Sequence, residues 1–246
     1  MCLSKLGKLE KEFMVLPAYA DYTGRMGIFG FLNACMDIAT EHAELLHIGY
    51  STLKPENKYW IVVKNKLVFD SYVLPEIGEM VKLETWPEKS RGIKCNRYCR
   101  LLDSKGNVLA RSKTLWTISN LTTGRPERVE LIYPSDLEFI DDTTIEEDFS
   151  NIVVSSENKV GEYIVKSTDV DAGNHMNNVK YLMALHSLYD LDCVKTIKIK
   201  SIEIQYKVPV HEKDMISFYL DKDNNTLNYK GVVNDKECVL IKVVCE

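Results

Sequence analysis

The sequence predicts an α+β protein in which one plan, a helix followed by several strands, is laid down twice along 246 residues. Three observations carry that reading. Apolar residues recur at helical spacing in two stretches, "IFGFLNACMDIATEHAELL" and "NVKYLMALHSLYDL". Each is followed by runs that alternate apolar and polar residues between turn signals. Finally, the first strand run overlays the second without a gap: Leu67, Phe69, Ser71 and Val73 fall on Ile202, Ile204, Tyr206 and Val208, and Glu79, Met80 and Val81 on Asp214, Met215 and Ile216. Face alternation survives through the whole window.

Taken in order, the first helix places Phe31, Leu32, Cys35, Met36, Ile38, Ala39, Ala43 and Leu46 on one side, with Asn33, Asp37 and Glu41 between them. Strands are expected at "YWIVVKNKLVFDSYV", "EMVKLETWPE", "GIKCNRYCRLLD" and "NVLARSKTLWTIS". A stretch rich in Pro, Asp, Glu and Thr then reads as a surface linker over 131–157, dividing repeats at 1–130 and 158–246. The second repeat opens on a strand, "EYIVKS", a polar loop and the helix "NVKYLMALHSLYDL". Strands "VKTIKIKSIEIQYKV", "DMISFYLDK", "TLNYKGVVN" and "ECVLIKVVCE" follow.

Composition narrows the function classes. Lys and Arg total 31 against 36 Asp and Glu, a net charge of -5, which carries no nucleic-acid footprint. No apolar run reaches the roughly 18 residues of a membrane span, and "MCLSKLGKLEKEF" lacks a signal-peptide core, so a cytoplasmic protein is expected. Seven cysteines without zinc-type spacing, Cys2 among them, point to reduced and mostly buried thiols. His42, His47, His186 and His211 have no companion at metal-ligand spacing, and no metal is expected. Trp60, Trp86 and Trp116 sit in apolar strands as core residues, with Trp60 the one expected to touch a substrate chain. Arg91, Lys94, Arg97, Arg100, Arg111 and Lys113 gather on two adjacent strands, either as a solvated face or as a landing strip for an acidic partner.

The densest polar cluster is "STDVDAGNHMNNVKY", just ahead of the second helix. Overlaying "DYTGRMGIFGFLN" on "DVDAGNHMNNVKY" sets Thr23 opposite Asp171 and Gly27 opposite His175, so the polar pair belongs to the second repeat alone. Asn177 or Asn178 suits the N-cap. Two readings stand for the rest. Asp169, Asp171 and Asn174 satisfy themselves in Asx turns, or the loop holds a reacting carbonyl, with N–H donors at the helix start for an oxyanion and His175 and Asp171 for acid–base work.

At these residues, and at "NKYWIVVKNKLVF", "PEIGEMVKLETWP" and "SKTLWTISNLTTGRPERV", the chain resembles the acyl-acyl carrier protein thioesterases. The resemblance implies a double hotdog, two repeats each with a long helix wrapped by a curved antiparallel β-sheet. It implies hydrolysis of acyl-acyl carrier protein or acyl-coenzyme A thioesters to free fatty acids, ending chain elongation, with no cofactor. It places Asp171 and His175 on a D-x-N-x-H motif in the C-terminal repeat, with Gly173 in the middle position and Asn174 one residue later as a substitute. The functional Glu that family members often carry after the tyrosine matched by Tyr206 is replaced here by Pro209 and Val210. Asn177, Asn178 and Trp60 are the expected substrate contacts, and a monomer or homodimer the expected state. Gly173 and Pro209 motivate the alternative, a non-hydrolytic acyl-thioester binder or sensor. A hotdog hydratase would carry D-x-N-P-x-H, which this loop lacks.

Overall fold

The computed structural model describes residues 6–90, 92–155 and 157–246, which leaves Cys2 and Arg91 outside the described residues. It divides into two compact units, Met1–Glu147 and Asp148–Glu246. No described helix is long and apolar enough to cross a membrane.

In the N-terminal unit the chain runs β1 (Leu9–Met14), α1 (Ile28–Leu45), the short α2 (Tyr50–Leu53), β2 (Lys58–Phe69), β3 (Met80–Pro87), β4 (Lys94–Leu102), β5 (Val108–Asn120) and β6 (Arg125–Pro126). The sheet order is β1-β3-β4-β5-β2, antiparallel throughout, with β6 on β5. Phe31, Leu32, Cys35, Ile38, Ala39 and His42 form the buried stripe of α1, which packs against β3. The strand β1 was not foreseen. Its sequence, LEKEFM, is mostly exposed and charged, as suits an edge strand, and leaves little apolar pattern to read.

The C-terminal unit repeats the plan. It comprises β7 (Lys159–Ile164), α3 (Asn178–His186), α4 (Leu191–Lys195), β8 (Ile199–Tyr206), β9 (Met215–Asp223), β10 (Thr226–Val233) and β11 (Lys236–Cys245), in the order β8-β11-β10-β9-β7. Met80 starts β3 and Met215 starts β9, as the strand overlay requires, and they pair with Met14 and Ile164 respectively. Both units are thus hotdog repeats, a helix laid on an antiparallel sheet. One expectation needs correction: α3 is nine residues long against eighteen for α1, because the helix closes at Ser187 and Asp190 starts another, its carboxylate accepting from the Cys193 N–H at 2.7 Å.

The segment read as a surface linker has no helix or strand among its described residues beyond Leu131, yet it is partly inside. Tyr133 and Leu137 join Leu46, Ile48, Cys95 and Val129 in one apolar cluster. The Asp142 carbonyl accepts from the Trp86 indole at 2.8 Å, while Ile152 and Val154 pack on Leu240. Apolar residues scattered without a period can still be buried when each finds its own gap, which is why periodicity overlooked them.

The basic strands also need correction. Arg97 is only 7% exposed and points inward, its Nη1 donating to His42 Nδ1 at 3.1 Å and to Thr85 Oγ1 at 3.3 Å. Lys113 is buried, Arg100 pairs with Glu84 at 2.9 Å, and Arg111 grips Asp70 through two bonds. Among the described members, Lys94 is the one that stands exposed, so these strands do not form a continuous cationic face.

His42 is fully buried between two constraints. The Leu6 carbonyl can only accept, so Nε2 donates to it at 2.8 Å, while Nδ1 must accept from Arg97. Burial, then the neighbouring guanidinium, push this imidazole down to about 4. Between its ordinary 6.5 and about 4 the unfolded chain binds a proton that the folded chain refuses. Stability is therefore complete above pH 6.5 and falls by about 3 kcal/mol as the pH drops through that window. His42→Gln, which cannot titrate, should flatten this part of the profile, as measured by urea midpoints at pH 7, 5.5 and 4.

Candidate active site

The polar loop is built from backbone bonds first. The Asp171 N–H donates to the His175 carbonyl at 2.9 Å, the Asn174 N–H to the Asp171 carbonyl at 3.0 Å, and the Gly173 N–H to Asp171 Oδ1 at 2.8 Å. Asn174 takes a left-handed φ of 59°, a conformation asparagine tolerates better than most residues. Val170 and Met176 form a bridge, and the Met176 N–H is held by the Val210 carbonyl at 2.8 Å. Beneath the loop, buried Asp169 accepts from Tyr163 Oη at 2.8 Å and the Lys166 N–H at 2.9 Å.

The N-terminal unit contains the same turn, in a register two residues from the one the sequence suggested. The Asp21 N–H donates to the Arg25 carbonyl, the Gly24 N–H to the Asp21 carbonyl, and the Thr23 N–H to Asp21 Oδ1 at 2.8 Å. Ala20 and Met26 form the bridge, Gly24 has φ 73°, and the Met26 N–H is held by Pro75. Asp171 therefore corresponds to Asp21, not Thr23, and His175 to Arg25, not Gly27. The aspartate is common to both repeats and closes the turn in each; the histidine belongs to the second alone.

Asn177 is the N-cap of α3, its Oδ1 accepting from the Val179 N–H at 3.0 Å. Its own N–H donates to the Asp169 carbonyl at 2.8 Å, and the Lys180 N–H returns to the Asn177 carbonyl at 2.9 Å. Of the donors expected to greet an oxyanion, those three are spent within the protein. Among the described residues no acceptor meets the Asn178 N–H, while the Asn178 carbonyl accepts from Tyr206 Oη at 3.0 Å. Burial pushes the Tyr206 and Tyr181 phenols well above their ordinary range, so both stay protonated under the helix start.

Asp171, Asn174, His175, Asn177 and Asn178 are thus gathered on one loop, whereas Trp60 lies in the N-terminal unit. There its indole N–H donates to the Ile48 carbonyl at 2.7 Å and its ring packs edge-on to Trp116. Asp171 is half-buried and His175 exposed, and no hydrogen bond joins their side chains among the described residues. His211, to which the sequence assigns no role, lies against His175 with ring centroids 4.9 Å apart. At the offset of the strand overlay His211 falls on Glu76, and in the observed loop register His175 falls on Arg25, so the contact repeats that between Arg25 and Glu76. No group of three His, Cys, Asp or Glu among the described residues could hold a metal ion. Cys35, Cys95, Cys99 and Cys238 are buried free thiols, and exposed Cys193 lies in α4, away from the loop along the chain.

A helix laid on an antiparallel sheet, twice over, with a polar turn at each helix start, defines a tandem hotdog protein. Family models for the acyl-ACP thioesterase N-terminal and C-terminal domains match residues 7–133 and 154–239, and the chain belongs to that family. It is 24% identical over 190 residues to the chloroplastic palmitoyl-acyl carrier protein thioesterase of Arabidopsis thaliana, covering 72% of this chain and 46% of the relative. The acyl-ACP thioesterase of Bacteroides thetaiotaomicron superposes with a TM-score of 0.85 at 23% identity over 99% of both chains. The 12:0-ACP thioesterase of Umbellularia californica gives 0.83 at 16% over 97% of both. These two structures share the fold. The chain spans about half the length of the curated relatives it matches.

Each aspartate accepts the N–H two residues on, and removing one such acceptor should cost about 1 kcal/mol. Asp171→Ala is expected to lower the urea midpoint, Asp21→Ala, which also removes the acceptor of the Thr23 hydroxyl, to lower it further, and Asp171→Asn, which keeps an oxygen for the Gly173 N–H, to leave it nearly unchanged.

Proposed function

We propose that this chain hydrolyses acyl-acyl carrier protein thioesters in the cytoplasm, releasing free fatty acid. Membership of the acyl-ACP thioesterase family supports the reaction class. The observation that carries the assignment to this loop is the exchange, on one and the same turn, of the Arg25 guanidinium for the His175 imidazole. Arginine keeps its proton at all physiological pH values; histidine gives and takes one near neutrality.

In the proposed mechanism water adds to the thioester carbonyl carbon as its proton passes to His175. The oxygen that gains charge lies toward the start of α3, where the Asn178 N–H and the partial positive charge of the helix terminus favour an anion. The carbon–sulfur bond then breaks, the fatty acid leaves, and the imidazolium returns its proton to the departing thiolate. Asp171 Oδ1 is committed to the Gly173 N–H, so Oδ2 is the oxygen assigned to orient the attacking water. Gly173 contributes no side chain, and its N–H serves the turn.

Thiol release across a panel of acyl chain lengths, on carrier protein and on coenzyme A, tests this directly. His175→Ala should lower kcat by about 10²–10⁴, and Asp171→Asn should lose activity while keeping its stability. Rates equal to wild type in both variants would remove the loop from the chemistry. Tight acyl-thioester binding by the wild type with no thiol release would favour the binder instead.

A further inference from the structure

Two titratable rings meet at the surface of the C-terminal unit, and only one has a role so far. His211 stands in the turn that joins β8 to β9. Its N–H donates to Asp214 Oδ2 at 2.9 Å and its carbonyl accepts from the Asp214 N–H at 3.1 Å, closing the turn on itself. On either side, the Val210 carbonyl holds the Met176 N–H and the Lys213 N–H donates to the Val165 carbonyl at 2.9 Å. The backbone under His211 is therefore clamped to both ends of the helix-start loop.

The ring is fixed as well. Nδ1 lies 3.1 Å from the carbonyl oxygen of Asn174, the residue immediately before His175. A carbonyl can only accept, so this nitrogen carries the proton, and in the neutral ring Nε2 keeps the lone pair. The same ring lies 4.9 Å, centroid to centroid, from that of His175, at a tilt of 55°.

The N-terminal repeat holds a different pair of side chains at those two positions. There Arg25 and Glu76, which correspond to His175 and His211, form an ion pair across the same two turns, and Arg25 also donates to the Leu74 carbonyl at 3.0 Å. That repeat joins its turns with fixed charges. The C-terminal repeat joins them with two imidazoles, which a structural tie alone does not require.

We infer that His211 is the positioning residue of the active loop, holding the Asn174 carbonyl through Nδ1–H and buttressing the His175 ring so that it faces the reacting carbonyl. The inference rests on the hydrolytic reading of His175. It assigns His211 no contact with substrate.

A double-mutant cycle tests it, since a residue that acts through His175 has nothing to act through once that ring is gone. His211→Ala is expected to lower kcat about tenfold to a hundredfold, the scale of a small misplacement at a reacting group, with KM within about twofold of wild type. In a His175→Ala background the same substitution should cost nothing further. An unchanged kcat in the single variant, or an equal loss in both backgrounds, overturns the proposal. His211→Asn, which keeps a donor for the Asn174 carbonyl without the ring, should restore part of the loss.

The imidazole ¹⁵N spectrum separates this inference from the function beneath it. If the wild type releases no thiol from any acyl thioester, the hydrolytic reading fails by itself. Signals showing His211 as the Nδ1–H tautomer, with the His175 ring shifted by His211→Ala, would still support the coupling. An Nε2–H tautomer, or unmoved His175 signals, would refute it.

Discussion

One backbone bond in each repeat anchors the approach to its helix: the N–H of the methionine two residues before it, donated to a carbonyl in the turn ahead of the second long strand. Met26 uses Pro75 and Met176 uses Val210, both at 2.8 Å. These bonds tie the helix-start loop to the sheet, and the aspartate turn then has a fixed base on which to close. Remove that tie and the loop would be a flexible polar stretch, its side chains free to satisfy themselves in water. With it, a handful of hydrogen bonds holds Asp171, Asn174 and His175 in one arrangement, and the helix terminus lies at a set distance along the chain.

The strand half of the duplication was legible because alternation is strict wherever one face of a sheet is buried, and a slip of one residue would turn every side chain over. The helix half was misread by two residues because the second repeat carries two aspartates, Asp169 and Asp171, and the first has only Asp21 to match them. Asp169 is the bracket for Tyr163 and Lys166, work that Asp21 does not share. A better guide was the left-handed position, Gly24 in one copy and Asn174 in the other, since few residue types accept that φ. The aspartate is a structural device shared by both repeats, and the histidine alone sets the second apart.

The basic residues of β4 and β5 failed for a related reason. Strand parity, not charge, decides which way a side chain points. Arg97 lies on the inward face with Cys95 and Cys99, and so it goes inside despite the cost of burying a guanidinium. The N-terminal interior meets that demand with a polar seam: His42 and Thr85 accept from Arg97, and Cys99 Sγ donates to the same Thr85 hydroxyl. Composition could not have revealed a core of this kind, because each member is unremarkable until its neighbours are known.

Arg25–Glu76 and His175–His211 are two solutions to one task, joining the same pair of turns. The tie in the first repeat is an ion pair, and the one in the second is a contact between two imidazole rings. The scaffold accepts either pairing without a change of architecture, since the backbone bonds that define the loop are the same whichever pair is present. The two repeats therefore keep one backbone joint and differ in the side chains laid across it.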